Sequence, residues 1–129
     1  ETYEHRDDAC PFCSLNRELI AENELAVAFR DGFPVTPLHT LVIPKRHVAD
    51  YFDLYQPEIN AINQLLAKIK EALIAEDASI TGFNIGINSG ESAGQTIFHC
   101  HVHLIPRRDG DVEDPRGGVR GVIAEKQKY

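Results

Sequence analysis

The sequence predicts an α+β fold: a single domain with a mainly antiparallel β-sheet, one long helix and a short N-terminal helix. Three observations lead there. Pro57 to Glu76 carries apolar residues at helical spacing. Short segments on either side of it run apolar or alternate between Gly, Pro and Asp punctuation. At 129 residues, without internal repeats, the chain has the size of one domain, 1–129, able to bury a core.

Taking the elements in order, Arg17 to Glu22 follows Cys10–Cys13 and reads as the short helix. Glu24 to Arg30 (E-L-A-V-A-F-R) reads as a strand, because its residues suit a half-buried pleat. Asp31-Gly32-Phe33-Pro34 signals a turn, and His39 to Pro44 reads as a second strand, antiparallel to the first and ended by proline. In the helix, Ile59, Ile62, Leu65, Leu66, Ile69 and Leu73 share one side, and Pro57 suits its first turn. Gly82 to Asn88 alternates as a strand, Ser89 to Gly94 is a flexible loop, and His99 to Ile105 is a strand stopped by Pro106. The tail 107–129 is charged and glycine-containing, with a weak apolar patch at Val119 to Ala124, and carries no element assignment.

Composition narrows function. The net charge of −7 argues against a nucleic-acid partner, which selects for a basic face, but not against a small phosphorylated ligand held by local donors. No apolar run approaches the roughly 18–20 residues of a membrane span, and no signal-peptide pattern opens the chain, so a cytoplasmic protein is expected. Three cysteines in such a chain do not suggest a disulfide framework.

The informative stretch is His99-Cys100-His101-Val102-His103-Leu104-Ile105. On a strand, His99, His101 and His103 project together while Cys100, Val102 and Leu104 point into a core. Three imidazoles on one face, beside a glycine loop, suit a site that holds an anion and moves a proton or a phosphoryl group. A set of satisfied structural histidines and a single metal bound by all three are the alternatives. The second requires strong bending, since alternate strand residues lie roughly 6.5–7 Å apart, and no carboxylate follows to complete a ligand set.

The pattern His-φ-His-φ-His-φ-φ, with Cys100 in one apolar slot, resembles the signature of the histidine-triad (HIT) family. The resemblance extends to Asn88-Ser-Gly-Glu-Ser-Ala-Gly94-Gln95-Thr96-Ile-Phe-His99 and to Phe29-Arg-Asp31-x-x-Pro34-x-x-Pro37-x-His39-x-Leu-Val-Ile-Pro44-Lys-Arg-His47. It implies that His101 attacks the α-phosphorus of a nucleotide and forms a nucleotidyl-imidazole that water opens. It also implies that His103 contacts phosphate oxygens or the leaving group. Asn88, Gly94, Gln95 and Thr96 match the phosphate loop, with loop capping the alternative for Gln95 and Thr96, and Asp31 matches the residue that accepts from ribose hydroxyls. His39 lies near the active site in that family, with a structural hydrogen bond as its other reading.

Cys10-x-x-Cys13 is half of a zinc pattern and weak by itself; no βαβ context supports a redox motif. The resemblance implies one structural Zn(2+) per chain on Cys10, Cys13, His47 and His99, with His5 and His39 as competitors for the third ligand. Pro106-Arg107-Arg108-Asp109-Gly110-Asp111 is similar to the dinucleoside-polyphosphate branch. The expected function is therefore hydrolysis of a P–O–P or P–N bond at the α-phosphate of a nucleotide. A transferase or phosphorylase with the same intermediate, and a nucleotide-binding regulatory protein with incidental turnover, are the alternatives. The resemblance also implies a homodimer.

Overall fold

The structure is a computed structural model and describes residues 2–129. Five strands form one sheet: β1 (Ala21–Glu22), β2 (Ala26–Arg30), β3 (Thr40–Pro44), β4 (Ile80–Ile87) and β5 (Val102–Arg108). Their order is β1-β2-β3-β5-β4, and every neighbouring pair is antiparallel. A single long helix, α1 (Gln56–Glu76), lies between β3 and β4 in the chain. The α+β reading is thus realised. Among the described residues no helix is long and apolar enough to cross a membrane.

Helix α1 follows its apolar spacing. Ala61, Ile62, Leu65, Ile69 and Leu73 are buried against Ala26, Ala28, Val42, Val102 and Leu104 of the sheet. Glu58 shares the buried side, and its charge is fully paired. Its carboxylate takes Nε and Nη2 of Arg46 at 2.9 Å each and the Tyr55 N–H at 2.8 Å. This clamp joins the helix start to the segment that leaves β3.

The opposite face of the sheet carries a second core. Val27, Phe29, Leu41 and Ile43 pack with Cys10 and Phe12 from the N-terminal segment. Cross-strand register builds a row here: Phe29 is opposite Leu41, Leu41 opposite His103, and His103 opposite Gly86. On this face β4 presents Gly82, Asn84 and Gly86 toward Arg107, Ile105 and His103, so small residues leave the space beside the histidines open.

Three expectations are corrected. Arg17–Glu22 is not a helix. Ile20 donates to the Ala28 carbonyl at 2.8 Å and Ala21–Glu22 pairs with β2, because the free edge of β2 offers ladder bonds that a lone helical turn could not match. The last strand runs Val102–Arg108 rather than His99–Ile105, and Pro106 does not stop it. Pro106 lies beyond the last β3 rung, Thr40 opposite Leu104, so its missing N–H costs no ladder bond, and its carbonyl accepts from Thr36 Oγ1 at 2.8 Å. His99 to His101 precede the ladder, yet the alternation holds: Cys100, Val102 and Leu104 are all in the helix-side core.

The tail forms 3₁₀ turns at Gly118–Val122 and Ala124–Lys126, with Val119, Val122 and Ile123 exposed. Its departure from the sheet is set by Arg107, whose Nε and Nη2 each meet an Asp111 oxygen at 2.8 Å while Nη1 bonds Asn84 at 2.7 Å. The Pro-Arg-x-x-x-Asp stretch therefore works as a turn lock, with Gly110 supplying the positive φ of 81°.

Candidate active site and metal centre

Four donors converge beneath the histidine face. Cys10 Sγ lies 3.4 Å from His99 Nδ1, and Cys13 Sγ lies 3.5 Å from the same atom and 3.3 Å from His47 Nδ1. A tetrahedral zinc with two thiolates and two imidazoles has sulfur–nitrogen edges of about 3.5 Å, so the spacing suits such an ion. His99 is wholly buried, and its Nε2–H donates to the Pro44 carbonyl at 2.8 Å, which leaves Nδ1 bare toward the sulfurs. Burial lowers its pKa to about 4, so the ring is neutral, as a ligand must be. The Phe12 and Asp7 N–H groups donate to Cys10 and Cys13 Sγ at 3.3 and 3.4 Å, and Asp7 also stands 3.8 Å from His47 Nε2. Cys10, Cys13, His47 and His99 can hold a metal ion in a closed site. Of the competing third ligands, His5 only packs its ring on His47, and His39 lies in a different cluster.

His101 is half-buried, one alternation along from His99. Its Nδ1 bonds the His99 carbonyl at 2.8 Å, so Nδ1 carries the proton and Nε2 keeps its lone pair. Phe12 packs edge-on against the ring at 5.3 Å between centroids. The metal cluster and this imidazole therefore share one stretch of backbone.

His103 is organised from the other side. The Val35 N–H donates to His39 Nδ1 at 3.1 Å, so His39 carries its proton on Nε2 and donates it to His103 Nδ1 at 2.9 Å. His103 is then left with an N–H at Nε2. Burial, followed by the neighbouring His101 and His39, lowers the His103 pKa to about 4; burial also lowers that of His39, partly opposed by Asp31. Leu38, just before His39, holds φ at 73°, a conformation costing roughly 1–3 kcal/mol for a side chain of this size, and it turns His39 inward. Asp31 accepts from the Phe33 N–H at 2.8 Å with Oδ1 and brings Oδ2 within 3.4 Å of His39 Nε2 and 3.9 Å of His103 Nδ1.

The loop after β4 leaves the sheet at the end where β5 begins, since Ile87 pairs with Val102. Gly90 and Gly94 hold φ of 95° and 99°, open only to glycine at low cost. The Gln95 side chain is buried and spent within the fold, donating to the Ala49 and Ile97 carbonyls and accepting from the Gly90 N–H. It shapes the loop, which favours the capping alternative for this residue. Asn88 is half-buried and Thr96 exposed. The sequence reading missed the relay through His39; its signal was the two-residue offset of His39 from Pro37, with nothing local to say what the ring would meet. A hollow of about 490 Å³ lies farther along β4, lined by Asn84, Arg107 and Gly118 among others, and includes neither His101 nor His103. His101 and His103 are each partly exposed.

Fold and site together define a small α+β protein with a histidine row beside a Cys₂His₂ cluster. The chain belongs to the HIT domain family, whose model matches residues 14–110. It is 41% identical over 104 residues to an uncharacterized HIT-like protein of Mycoplasma genitalium, covering 77% of this chain and 73% of that one. Its structure is similar to that of a zinc-bound histidine triad family protein from Mycobacterium smegmatis, with 35% identity, a TM-score of 0.74, and 82% and 80% of the two chains covered. It is also similar to a Plasmodium falciparum diadenosine triphosphate hydrolase, with 29% identity, a TM-score of 0.70, and 86% and 72% covered.

Proposed function

We propose that this protein hydrolyses a P–O–P or P–N bond at the α-phosphate of a nucleotide, through a covalent nucleotidyl-His101. The carrying observation is the His101 Nδ1–H bond to the His99 carbonyl at 2.8 Å, which directs nucleophilicity to Nε2. As Nε2 bonds to phosphorus, the ring gains positive charge, and the same carbonyl stabilises it. The bridging oxygen or nitrogen departs with the bonding electrons, and His103 Nε2–H hydrogen-bonds to it while keeping its proton; an oxygen leaves as a phosphate anion, and a nitrogen takes its proton from water. Water then attacks phosphorus and releases a proton to solvent, the P–N bond to His101 breaks with its electrons returning to Nε2, and the ring is again neutral. Asn88, Gly94, Thr96 and the loop backbone shaped by Gln95 surround the phosphate in this reading, and the remaining lone pairs of Asp31 take a ribose hydroxyl. A Zn(2+) on Cys10, Cys13, His47 and His99 has no open position and serves to tie the N-terminal segment to the residues preceding β5. The likeness to a diadenosine triphosphate hydrolase supports a polyphosphate-linked substrate.

Product analysis with diadenosine tetraphosphate and an adenosine phosphoramidate tests the reading. His101→Ala is expected to lower kcat by roughly three orders of magnitude or more, and nucleotide trapped during turnover should sit on residue 101. Undiminished turnover in that variant ends the mechanism.

A homodimer is part of the same reading. β4 is the outer strand of the sheet, and Ile85 is exposed there beside an apolar hollow of about 300 Å³ lined by Leu66, Phe83 and Leu104. A second copy pairing along β4 would satisfy that edge. Light scattering should give twice the chain mass, and Ile85→Lys should lower it; a monomeric wild type refutes the assembly.

A further inference from the structure

His101 belongs to a ring of contacts that also includes Phe12, Phe29, Arg17, Asp31 and His103. Phe12 touches His101 and Phe29, each at 5.3 Å between ring centroids, and the Arg17 guanidinium lies over Phe29, its Cζ 5.1 Å from the centroid. Arg17 Nη1 donates to the Arg30 carbonyl at 3.2 Å. The next residue, Asp31, brings its carboxylate to His39 and His103, and the His103 ring lies 5.3 Å from that of His101. Arg17 thus stands beside Asp31, next to the Arg30 carbonyl and Gly32.

Arg17 is exposed, and the Arg30 carbonyl takes one of its five donors; no carboxylate pairs with it among the described residues. Gly32 lies against the guanidinium: a Cβ there would stand 3.6 and 3.7 Å from Arg17 Nη1 and Nη2.

We propose that Arg17 reads the nucleobase and selects guanine over adenine. The inference rests on the nucleotidyl-transfer reading above: with phosphorus at His101 and ribose at Asp31, the base extends toward the guanidinium. Guanine presents O6 and N7, two acceptors that match the guanidinium fork, whereas adenine offers N7 beside an N6 donor that opposes it. The fork therefore discriminates between the two purines; among pyrimidines cytosine offers a comparable pair in N3 and O2.

Calorimetric titration of the zinc-loaded protein with GMP and AMP tests the inference, alongside kcat/KM for diguanosine and diadenosine tetraphosphate. The wild type should bind GMP about tenfold more tightly than AMP. Arg17→Ala should remove that preference by weakening GMP alone, and Arg17→Lys, which keeps the charge without the fork, should do the same. Equal affinity for the two nucleotides in the wild type overturns the proposal, as does equal weakening of both in Arg17→Ala or wild-type selectivity in Arg17→Lys. Turnover without base discrimination removes this inference alone. Failure to bind either nucleotide or to turn over either substrate removes the enzymatic reading along with it.

Discussion

Which nitrogen of His103 carries the proton decides what that residue can do, and the answer comes from outside β5. The Val35 N–H fixes His39, and His39 fixes His103 with its proton on Nε2. In the proposed reaction His39 is therefore a positioning residue, which aims the His103 Nε2–H hydrogen bond. His39→Leu should lower kcat by roughly 10²–10³-fold with little change in KM, and the ¹⁵N shifts of His103 should report loss of the single tautomer. His39→Gln, which retains an N–H near the same place, should recover part of both. Unaltered His103 shifts in the leucine variant would contradict the relay. At this scale the histidine row and its two-residue period were legible in the sequence, because strand alternation is local. The His39 contact was not, because it joins residues 64 positions apart.

Among the elements, α1 depends on a group its apolar pattern would not select. Glu58 is 1% exposed and answers both Arg46 and the Tyr55 N–H. Hydrogen bonding and the nearby carboxylate raise the Arg46 pKa, so the cation is firmly held. Glu58→Ala strands Arg46 as a half-sheltered charge and unties the helix start; urea unfolding should show a loss of about 3 kcal/mol. A loss well below 1 kcal/mol would mean the clamp is slack. The long helix and the two strands β2 and β3 were legible because their patterns extend over several residues of one period. Arg17–Glu22 was misread because the free edge of β2 outbids a weak local preference, and Pro106 because only the register says which side of β5 needs donors.

For the whole molecule, the N-terminal segment joins the sheet through Phe12 and Cys10 in one small core and through the cluster of Cys10 and Cys13 with His47 and His99, which could hold a metal ion. A bound ion would stabilise the folded form by its preferential affinity for it. The protein should contain one zinc per chain by elemental analysis, and a strong chelator should lower its melting temperature. Cys13→Ser should lose the zinc and melt lower, with no further response to chelator. Full zinc content in that variant would exclude the site. The basic side chains Lys45, Arg46, Arg107 and Arg108 are all ion-paired, to Glu22, Glu58, Asp111 and Asp77, so they stabilise the fold rather than form a phosphate patch.

By itself the sequence determined the fold class, the helix, the face shared by His99, His101 and His103, and the family motif, since each of these is written in short-range periodicity and spacing. Only the tertiary structure decided that His47 rather than His5 or His39 completes the cluster with Cys10, Cys13 and His99, that Gln95 is consumed in shaping its loop, and that Arg17 stands beside Asp31. The reason is physical: donor geometry and burial depend on where strands cross and loops close, and residues distant in the chain acquire a common neighbourhood only when the sheet forms.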